Sequence, residues 1–161
     1  MASPDIDSRP ASWDLHLGIG LGNICLNDSV EKWKNSLSLV YEGDLQDQVN
    51  DFYRKNNSDR IAQDVLKGLS PSYKSSLFDL SLEVNEKLLI VQITTAEFCF
   101  FRGVDLLGCS ADFVLTVLDS PDVLWDRDCL GWNLFLERIG LVLRLDERKI
   151  VQWISISEID V

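Results

Sequence analysis

The sequence predicts an α+β fold, in which an antiparallel sheet carries helices packed on one face. Apolar and polar residues alternate at strand spacing in 77–84, and a second apolar run, 88–95, follows a short polar turn. A similar pair of runs occupies 141–145 and 149–156. Two such runs joined by a turn are typical of a β-hairpin. Apolar residues at helical spacing in other segments predict helices in addition to these hairpins.

Besides the helical segments expected in 43–69, one helix is predicted in each half of the chain. The first follows Asn27 or Asp28, either of which can cap it, and runs to about Leu39. The second covers 111–118 and is capped by Ser110. The apolar face predicted for the first helix consists of Val30, Trp33 and Leu37, with Val40 as a further candidate.

Three more strands and a loop complete the predicted elements. Apolar residues alternate in 13–21, aromatic residues continue from Phe98 toward Val104, and an apolar run covers 131–136. The segment 122–130, rich in Asp, is predicted to be a loop. The glycines of 13–21 do not open a βαβ unit, so a nucleotide-binding loop is not expected there.

Short sequence echoes indicate an internal duplication. Ile-Val-Gln occurs at 90–92 and again at 150–152. Leu-Gly occurs at 21–22 and at 107–108, each time shortly before a predicted helix. Both helices are followed by an apolar hairpin that ends in the tripeptide. The order of parts is therefore the same in the two halves of the chain.

The predicted organisation is a flexible arm at 1–11 followed by one α+β domain at 12–161. The domain consists of two related units, at about 13–101 and 102–157. The first unit contains a polar insertion at about 43–69 with helical spacing, which the second unit lacks. Insertions on a repeated scaffold often carry specific function, so this segment is a candidate for partner contacts.

Composition narrows the possible partners. The chain has 161 residues, 46% of them apolar, and its 26 acidic and 15 basic residues give a net charge of −11. Nucleic acids and anionic lipid surfaces require Lys and Arg, so neither is an expected partner. A basic protein is the partner that such a charge attracts. The absence of a secretion signal and of an apolar run of about 18 residues predicts a cytoplasmic protein with free thiols.

No catalytic residue, cofactor or metal site is predicted. His16 is the only histidine, and the four cysteines include no C-x-x-C pair. Cys25 and Cys109 stand near the two predicted helix starts, where a helix dipole can lower the pKa of a thiol. A buried, unreactive role is the alternative for both cysteines. The expected protein is thus not an enzyme and has no small-molecule substrate.

Partner binding is the predicted role of two acidic regions. Trp125 and Trp132 flank Asp126 and Asp128, so large aromatic anchors stand beside negative charges. An alternative for Asp122, Asp126 and Asp128 is a magnesium site, and an alternative for the tryptophans is a place in the core. The residues predicted to bind the partner are Glu42, Asp44, Asp47, Asp51, Asp122, Trp125, Asp126, Asp128 and Trp132.

The repeated order of Leu-Gly, capped helix and strand meander resembles the β-lactamase inhibitory proteins, and one copy resembles small outer-membrane assembly lipoproteins. A small, acidic, cytoplasmic α/β chain is also similar to immunity proteins of bacterial polymorphic toxins, including contact-dependent growth inhibition systems. This resemblance implies an inhibitor that binds a cognate toxin domain, such as a nuclease, and occludes its active site. The alternatives are a non-catalytic protein-binding scaffold or regulatory domain, and an unrecognised small hydrolase.

Overall fold

A computed structural model describes residues 13–42, 71–119, 123–129 and 131–159. Within these ranges the chain forms antiparallel sheets with two α-helices and one 3-10 helix. The α+β class predicted from the sequence is therefore confirmed, and the described chain is rich in sheet. The predicted arm, the whole 43–69 insertion and residues 120–122 lie outside the described residues.

The strands are numbered in chain order. They are β1 Leu15–His16, β2 Gly20–Leu21, β3 Ile24–Cys25, β4 Leu39–Tyr41, β5 Ser72–Ser75, β6 Leu80–Val84, β7 Ile90–Thr95, β8 Phe100–Phe101, β9 Val104–Asp105, β10 Leu124–Asp128, β11 Gly131–Leu136, β12 Leu141–Leu145 and β13 Val151–Ser157. The helices are α1 Glu31–Lys34 and α2 Ala111–Leu118, with a 3-10 turn at Glu137–Ile139.

Eight strands form the main sheet in the order β10-β11-β12-β13-β7-β6-β5-β4. All neighbouring strands of this sheet are antiparallel. It consists of two four-strand meanders, β4 to β7 and β10 to β13, which meet where β7 pairs with β13. At that junction Thr94 lies opposite Ser155, and their hydroxyl oxygens are 2.7 Å apart. β10 and β4 are the two edge strands.

Alternation along the strands gives the sheet two unlike faces. In β6, Leu80 and Leu82 are buried, whereas Ser81 and Glu83 between them are partly exposed. Successive side chains of a strand point to opposite faces. We call the face with the buried residues the inner face and the opposite one the outer face. The buried apolar residues of the inner face and of both helices belong to one hydrophobic core cluster.

Helix α2 is confirmed with its predicted bounds. The Ser110 hydroxyl accepts a hydrogen bond from the Phe113 N–H at 3.3 Å, as an N-cap does. The helix ends at Asp119, whose φ of 49° is left-handed and whose N–H donates to the Leu115 carbonyl at 3.0 Å. Ala111, Val114 and Leu118 form the buried side of this helix. Both boundaries were therefore determined by local residues.

The first predicted helix is much shorter than expected. Helix α1 covers only Glu31–Lys34, and Asp28 acts beside it by accepting hydrogen bonds from the Cys25 N–H and the Trp33 indole N–H. The chain then turns into β4, so Val40 is an exposed strand residue and not a helical one. The Ser75 hydroxyl holds this turn by donating to the Leu37 carbonyl at 2.7 Å. Pairing with β5 thus outweighs the local helical spacing.

Two predicted strands are interrupted by turns. The 13–21 strand is divided into β1 and β2 by a turn in which Gly18 has a φ of 72°, a conformation that suits glycine. The aromatic strand is likewise divided into β8 and β9 at Arg102 and Gly103, whose φ values are 52° and 81°. A small three-stranded sheet, β1-β2-β3, and a two-stranded one, β8-β9, result.

The two long hairpins predicted from the sequence are confirmed, and their turns share one construction. The side chain of the first turn residue, Asn85 or Asp146, accepts hydrogen bonds from the N–H groups two and four residues later, at 2.8–3.1 Å. The fourth turn residue, Leu88 or Lys149, has a φ of 60° or 64°. Asp and Asn favour such side-chain to backbone turns.

The repeated tripeptide Ile-Val-Gln is offset by one residue relative to these turns. The first turn residues are sixty-one positions apart, whereas the tripeptides at 90–92 and 150–152 are sixty apart. Ile90 opens β7, and the residue that opens β13 is Val151. A shift of one residue exchanges the two faces of a strand, so the tripeptides do not occupy matching positions.

Candidate protein-binding surface

The segment 122–130, predicted to be a loop, contains the edge strand β10. All five of its residues are exposed, and it pairs with β11. Asp is depleted in strands, which is why its sequence indicated a loop. The strand forms because a neighbouring strand is present to pair with it, and this condition is tertiary.

Strand pairing separates the predicted aromatic and acidic contacts. Trp125 lies opposite Leu134, which is fully buried, so Trp125 is on the inner face of the sheet. Asp126 lies opposite Asn133, on the outer face. Alternation places Trp132 with the inner residues and Asp128 with the outer ones. The predicted aromatic contact at Trp125 and the predicted acidic contact at Asp126 therefore lie on different faces of the sheet.

Cations surround the two tryptophans. The rings of Trp125 and Trp132 are perpendicular, with centroids 5.8 Å apart. The Lys149 ammonium lies 5.4 Å from the Trp125 ring and 5.2 Å from the Trp132 ring, and the Arg127 guanidinium lies 5.2 Å from the Trp132 ring. Trp132 also packs against the core cluster. These contacts fasten β10 and the β12–β13 turn to each other.

On the outer face, Asp128 is paired with Arg144. The two guanidinium nitrogens Nη1 and Nη2 donate to the two carboxylate oxygens, and the Nη2–Oδ1 distance is 2.8 Å. Asn133 joins the pair, donating to Asp128 at 3.3 Å and accepting from Arg144 at 3.1 Å. Hydrogen bonding of the guanidinium to the Asp128 carboxylate raises the pKa of Arg144. Asp126, in contrast, makes no ion pair with a described residue.

One row of residues crosses the whole outer face. From one edge to the other it consists of Leu124, Phe135, Val142, Ser155, Thr94, Ser81, Lys74 and Val40. The first three are large and apolar, although they stand outside the core cluster. At the same distances from the centre, the other half carries Val40, Lys74 and Ser81, and two of these three are polar. The half built from β10 to β13 is therefore the more apolar one.

A second difference between the halves involves Trp153. This residue lies opposite Arg144 on the outer face, is partly exposed, and is not part of the core cluster. The matching pair in the other half is Gln92 opposite Glu83. An indole and an aliphatic patch beside an arginine form the kind of surface that is enriched in protein interfaces. We call Leu124, Phe135, Val142, Arg144 and Trp153 the outer patch.

The outer patch was missed at the sequence level, although a signal for it exists. In β6, Leu-Ser-Leu-Glu-Val alternates apolar and polar residues, as in a strand with one solvated face. In β12, Leu-Val-Leu-Arg-Leu places the apolar Val142 between buried leucines. An apolar residue at a position that faces outward indicates a strand with apolar side chains to bury on both faces of the sheet.

Other predicted contact residues are only partly placed. Glu42 is exposed just after β4, and its N–H donates to the Ser72 carbonyl at 3.0 Å. Asp44, Asp47, Asp51 and Asp122 lie outside the described residues. The magnesium alternative includes Asp122, which lies outside the described residues. The residues that the structure describes contain no group of three potential metal ligands.

The residues considered for catalysis do not converge within the described chain. His16 is exposed in β1, and the Cys109 thiol donates to the Asp105 carbonyl at 3.2 Å. Burial raises the pKa of the Cys99 thiol to about 12, so its nucleophilic thiolate is disfavoured. Cys25 is partly exposed. None of these groups has a general base and an orienting partner at hydrogen-bond distance in the described residues.

Glu83 provides a test of the outer face that requires no partner. Burial raises the pKa of its carboxyl, so the folded state holds this proton more tightly than the unfolded state. Stability then falls as pH rises from the ordinary Glu range through the raised pKa. We expect Glu83→Gln to increase the melting temperature modestly at pH 7 and to lose this gain below about pH 4. Thermal unfolding at both pH values measures the effect.

The control for this variant is Glu86→Gln, which changes an exposed glutamate in the β6–β7 turn. It removes the same charge from the chain, so a general effect of net charge would appear in both variants. A lower melting temperature of Glu83→Gln at pH 7 would contradict the prediction, because the carboxylate would then be stabilising.

Comparisons with protein-family models, with curated proteins and with solved structures found no match. Among the described residues, no helix has the length and apolarity needed to cross a membrane.

Proposed function

We propose that this protein is a cytoplasmic immunity protein that binds a basic bacterial toxin domain, such as a nuclease, and blocks its active site. The observation that carries the proposal is the outer patch, where Trp153, Phe135, Val142 and Leu124 face outward beside Arg144. Trp and Arg are enriched among the residues that dominate binding energy. The mechanism is occlusion by a bound surface, and it requires no catalytic group of this chain.

Charge supports a basic partner. The chain carries a net charge of −11, and Asp126 stands exposed next to the outer patch. Complementary charge accelerates encounter and suppresses wrong partners, while the apolar centre of an interface supplies most of the affinity. A basic domain with an exposed apolar centre fits both features of this surface.

The proposal includes the relation between the two halves, whose helices would lie on the inner face of a common sheet. In support, the Asn27 N–H donates to the Ile90 carbonyl at 2.7 Å, and the Gly108 N–H donates to the Val151 carbonyl at 2.9 Å. Both donors have a left-handed φ, of 71° and 80°. Equivalent bonds thus connect the start of each helix to the strand after each matching turn.

The central strand pair supports the same relation. Thr94 and Ser155 are sixty-one positions apart, the spacing of the matching turns, and they pair with each other. Their neighbours pair symmetrically, Ile93 with Ile156 and Thr95 with Ile154. A two-fold axis between Thr94 and Ser155 would therefore relate the halves. The surface residues of two copies of one unit can differ, and the outer patch would be a feature of the second copy alone.

The decisive experiment is coexpression with the product of the adjacent upstream open reading frame. An immunity protein is expected to form a stable complex with a basic toxin domain encoded there and to abolish its toxicity. An adjacent metabolic gene and the lack of a stable complex would contradict the proposal. A stable complex that leaves toxicity unchanged would favour the alternative, a binding scaffold without inhibitory action.

Charge reversal tests the electrostatic part. Asp126→Lys is expected to reduce the association rate with this domain about 3–10-fold at low ionic strength, because steering by exposed charges controls encounter. The difference should nearly vanish in about 1 M salt, where the Debye length is about 3 Å. Stopped-flow fluorescence measures both rates.

The control is Glu86→Lys, which makes the same charge change in the exposed β6–β7 turn. Equal slowing by both variants would show that only net charge matters, and no slowing by Asp126→Lys would exclude this carboxylate from the encounter.

A further inference from the structure

The edge strand β10 has an unusual combination of exposure and order. All five of its residues are exposed, and within the described residues it pairs with β11 alone. The free side of its backbone, along 124–127, therefore carries N–H and C=O groups without a strand partner in the described part of the chain. Such an edge is a template for pairing with another chain.

Side chains hold β10 in place on both faces of the sheet. On the inner face, the Trp125 ring packs edge-on against Trp132. On the outer face, Asp128 is held by Arg144 and Asn133. The strand thus stays extended although its sequence has a poor strand propensity. A strand that is ordered before binding loses less conformational entropy when a partner pairs with it.

From this geometry we infer that β10 accepts an extended basic segment of the partner as an added strand of the sheet. The inference rests on the proposed function and specifies how the toxin domain docks. Asp126 is exposed on the outer face and makes no ion pair with a described residue. Opposite charges on directly facing strand residues are favourable, so the added strand carries Lys or Arg opposite Asp126.

The same pairing determines a second position of the added strand. Leu124 is two residues before Asp126 on the same face and is 60% exposed. An antiparallel partner strand places an apolar residue opposite Leu124, two positions from its basic residue. That residue extends the outer patch across the edge of the sheet. The expected partner motif is therefore a basic and an apolar residue separated by one residue in an extended segment.

A second copy of this chain is a less suitable occupant. Each copy carries a net charge of −11, so approach of two copies is opposed. Antiparallel pairing of two β10 strands centred on Asp126 would also place the two Asp126 carboxylates directly opposite each other. Like charges in that position are destabilising.

Hydrogen–deuterium exchange tests the inference with the full chain and the basic domain encoded by the adjacent open reading frame. Addition of a strand is expected to slow exchange at least tenfold in peptides that cover 123–129. The opposite edge, β4, serves as the internal control and should keep its exchange rate. Binding without protection of β10 would overturn strand addition and leave the proposed function intact, whereas absence of binding would overturn both.

Proline scanning supplies a second measurement. Alternate residues of an antiparallel strand point their N–H groups to opposite sides, so one of Asp126 and Arg127 donates toward the free edge. We expect a proline at that residue to leave the melting temperature of the free protein unchanged. The proline variant should bind the partner at least tenfold more weakly than the variant with alanine at the same residue. Equal affinity of these two variants would overturn the inference. Slow hydrogen exchange of β10 in the chain alone, together with the mass of a dimer in light scattering, would also overturn the inference.

Discussion

Leu143→Ala is expected to destabilise the protein by about 2–5 kcal/mol, because the truncation leaves a cavity in the middle of the sheet. Leu143 is fully buried and pairs with Leu134 on one side and Ile154 on the other, both also fully buried. The side chain therefore has close neighbours on both adjacent strands, which cannot all move to fill the space. A loss of this size corresponds to a drop in melting temperature of roughly 5–20 °C.

The matched control is Val142→Ala, one residue earlier in the same strand. Val142 is on the outer face, is partly exposed and stands outside the core cluster, so its truncation should cost about 1 kcal/mol or less. Urea denaturation of both variants measures the difference in unfolding free energy. Equal losses would contradict the assignment of the inner and outer faces.

Trp153→Ala is expected to weaken binding of the toxin domain by about 30–1000-fold, the range of a central hot-spot residue. The indole is the largest outward side chain of the outer patch and lies opposite Arg144. Its removal would expose the neighbouring apolar contacts to water within the interface. The melting temperature of the free protein should change little, since Trp153 is outside the core cluster. Isothermal titration calorimetry and thermal unfolding measure the two quantities.

Gln92→Ala is the control for this prediction, because Gln92 occupies the matching place in the other half, opposite Glu83. A surface that uses only the second half should lose less than about threefold in affinity with this variant. Comparable losses at both positions would indicate that the whole outer face contacts the partner. No loss with Trp153→Ala would remove the outer patch from the interface.

Much of the fold was predictable because it depends on local patterns. The long hairpins follow from alternating runs around turns opened by Asn85 and Asp146, whose side chains bond the turn backbone. Helix α2 follows from the Ser110 cap and apolar residues at helical spacing. In each case, the residues that determine the structure lie within a few positions of it.

Elements that depend on distant partners were not predictable in the same way. Helix α1 ends early because Ser75, thirty-eight residues away, holds the Leu37 carbonyl at the turn into β4. Strand β10 forms from an Asp-containing segment because β11 pairs with it. Local propensity favoured a longer helix in one place and a loop in the other. Both preferences are weaker than a row of backbone hydrogen bonds to a neighbouring strand.

The candidate site shows the same division. Composition alone determined the strong negative charge, and the pattern of the sequence determined the antiparallel sheet. Only strand register decided that Trp125 and Asp126, adjacent in the chain, point to opposite faces, and that Trp153 joins Phe135 and Val142 on one of them. The physical reason is the two-residue period of a strand: it separates neighbours in sequence and brings together residues of different strands, so a surface of this kind exists only after the strands have paired.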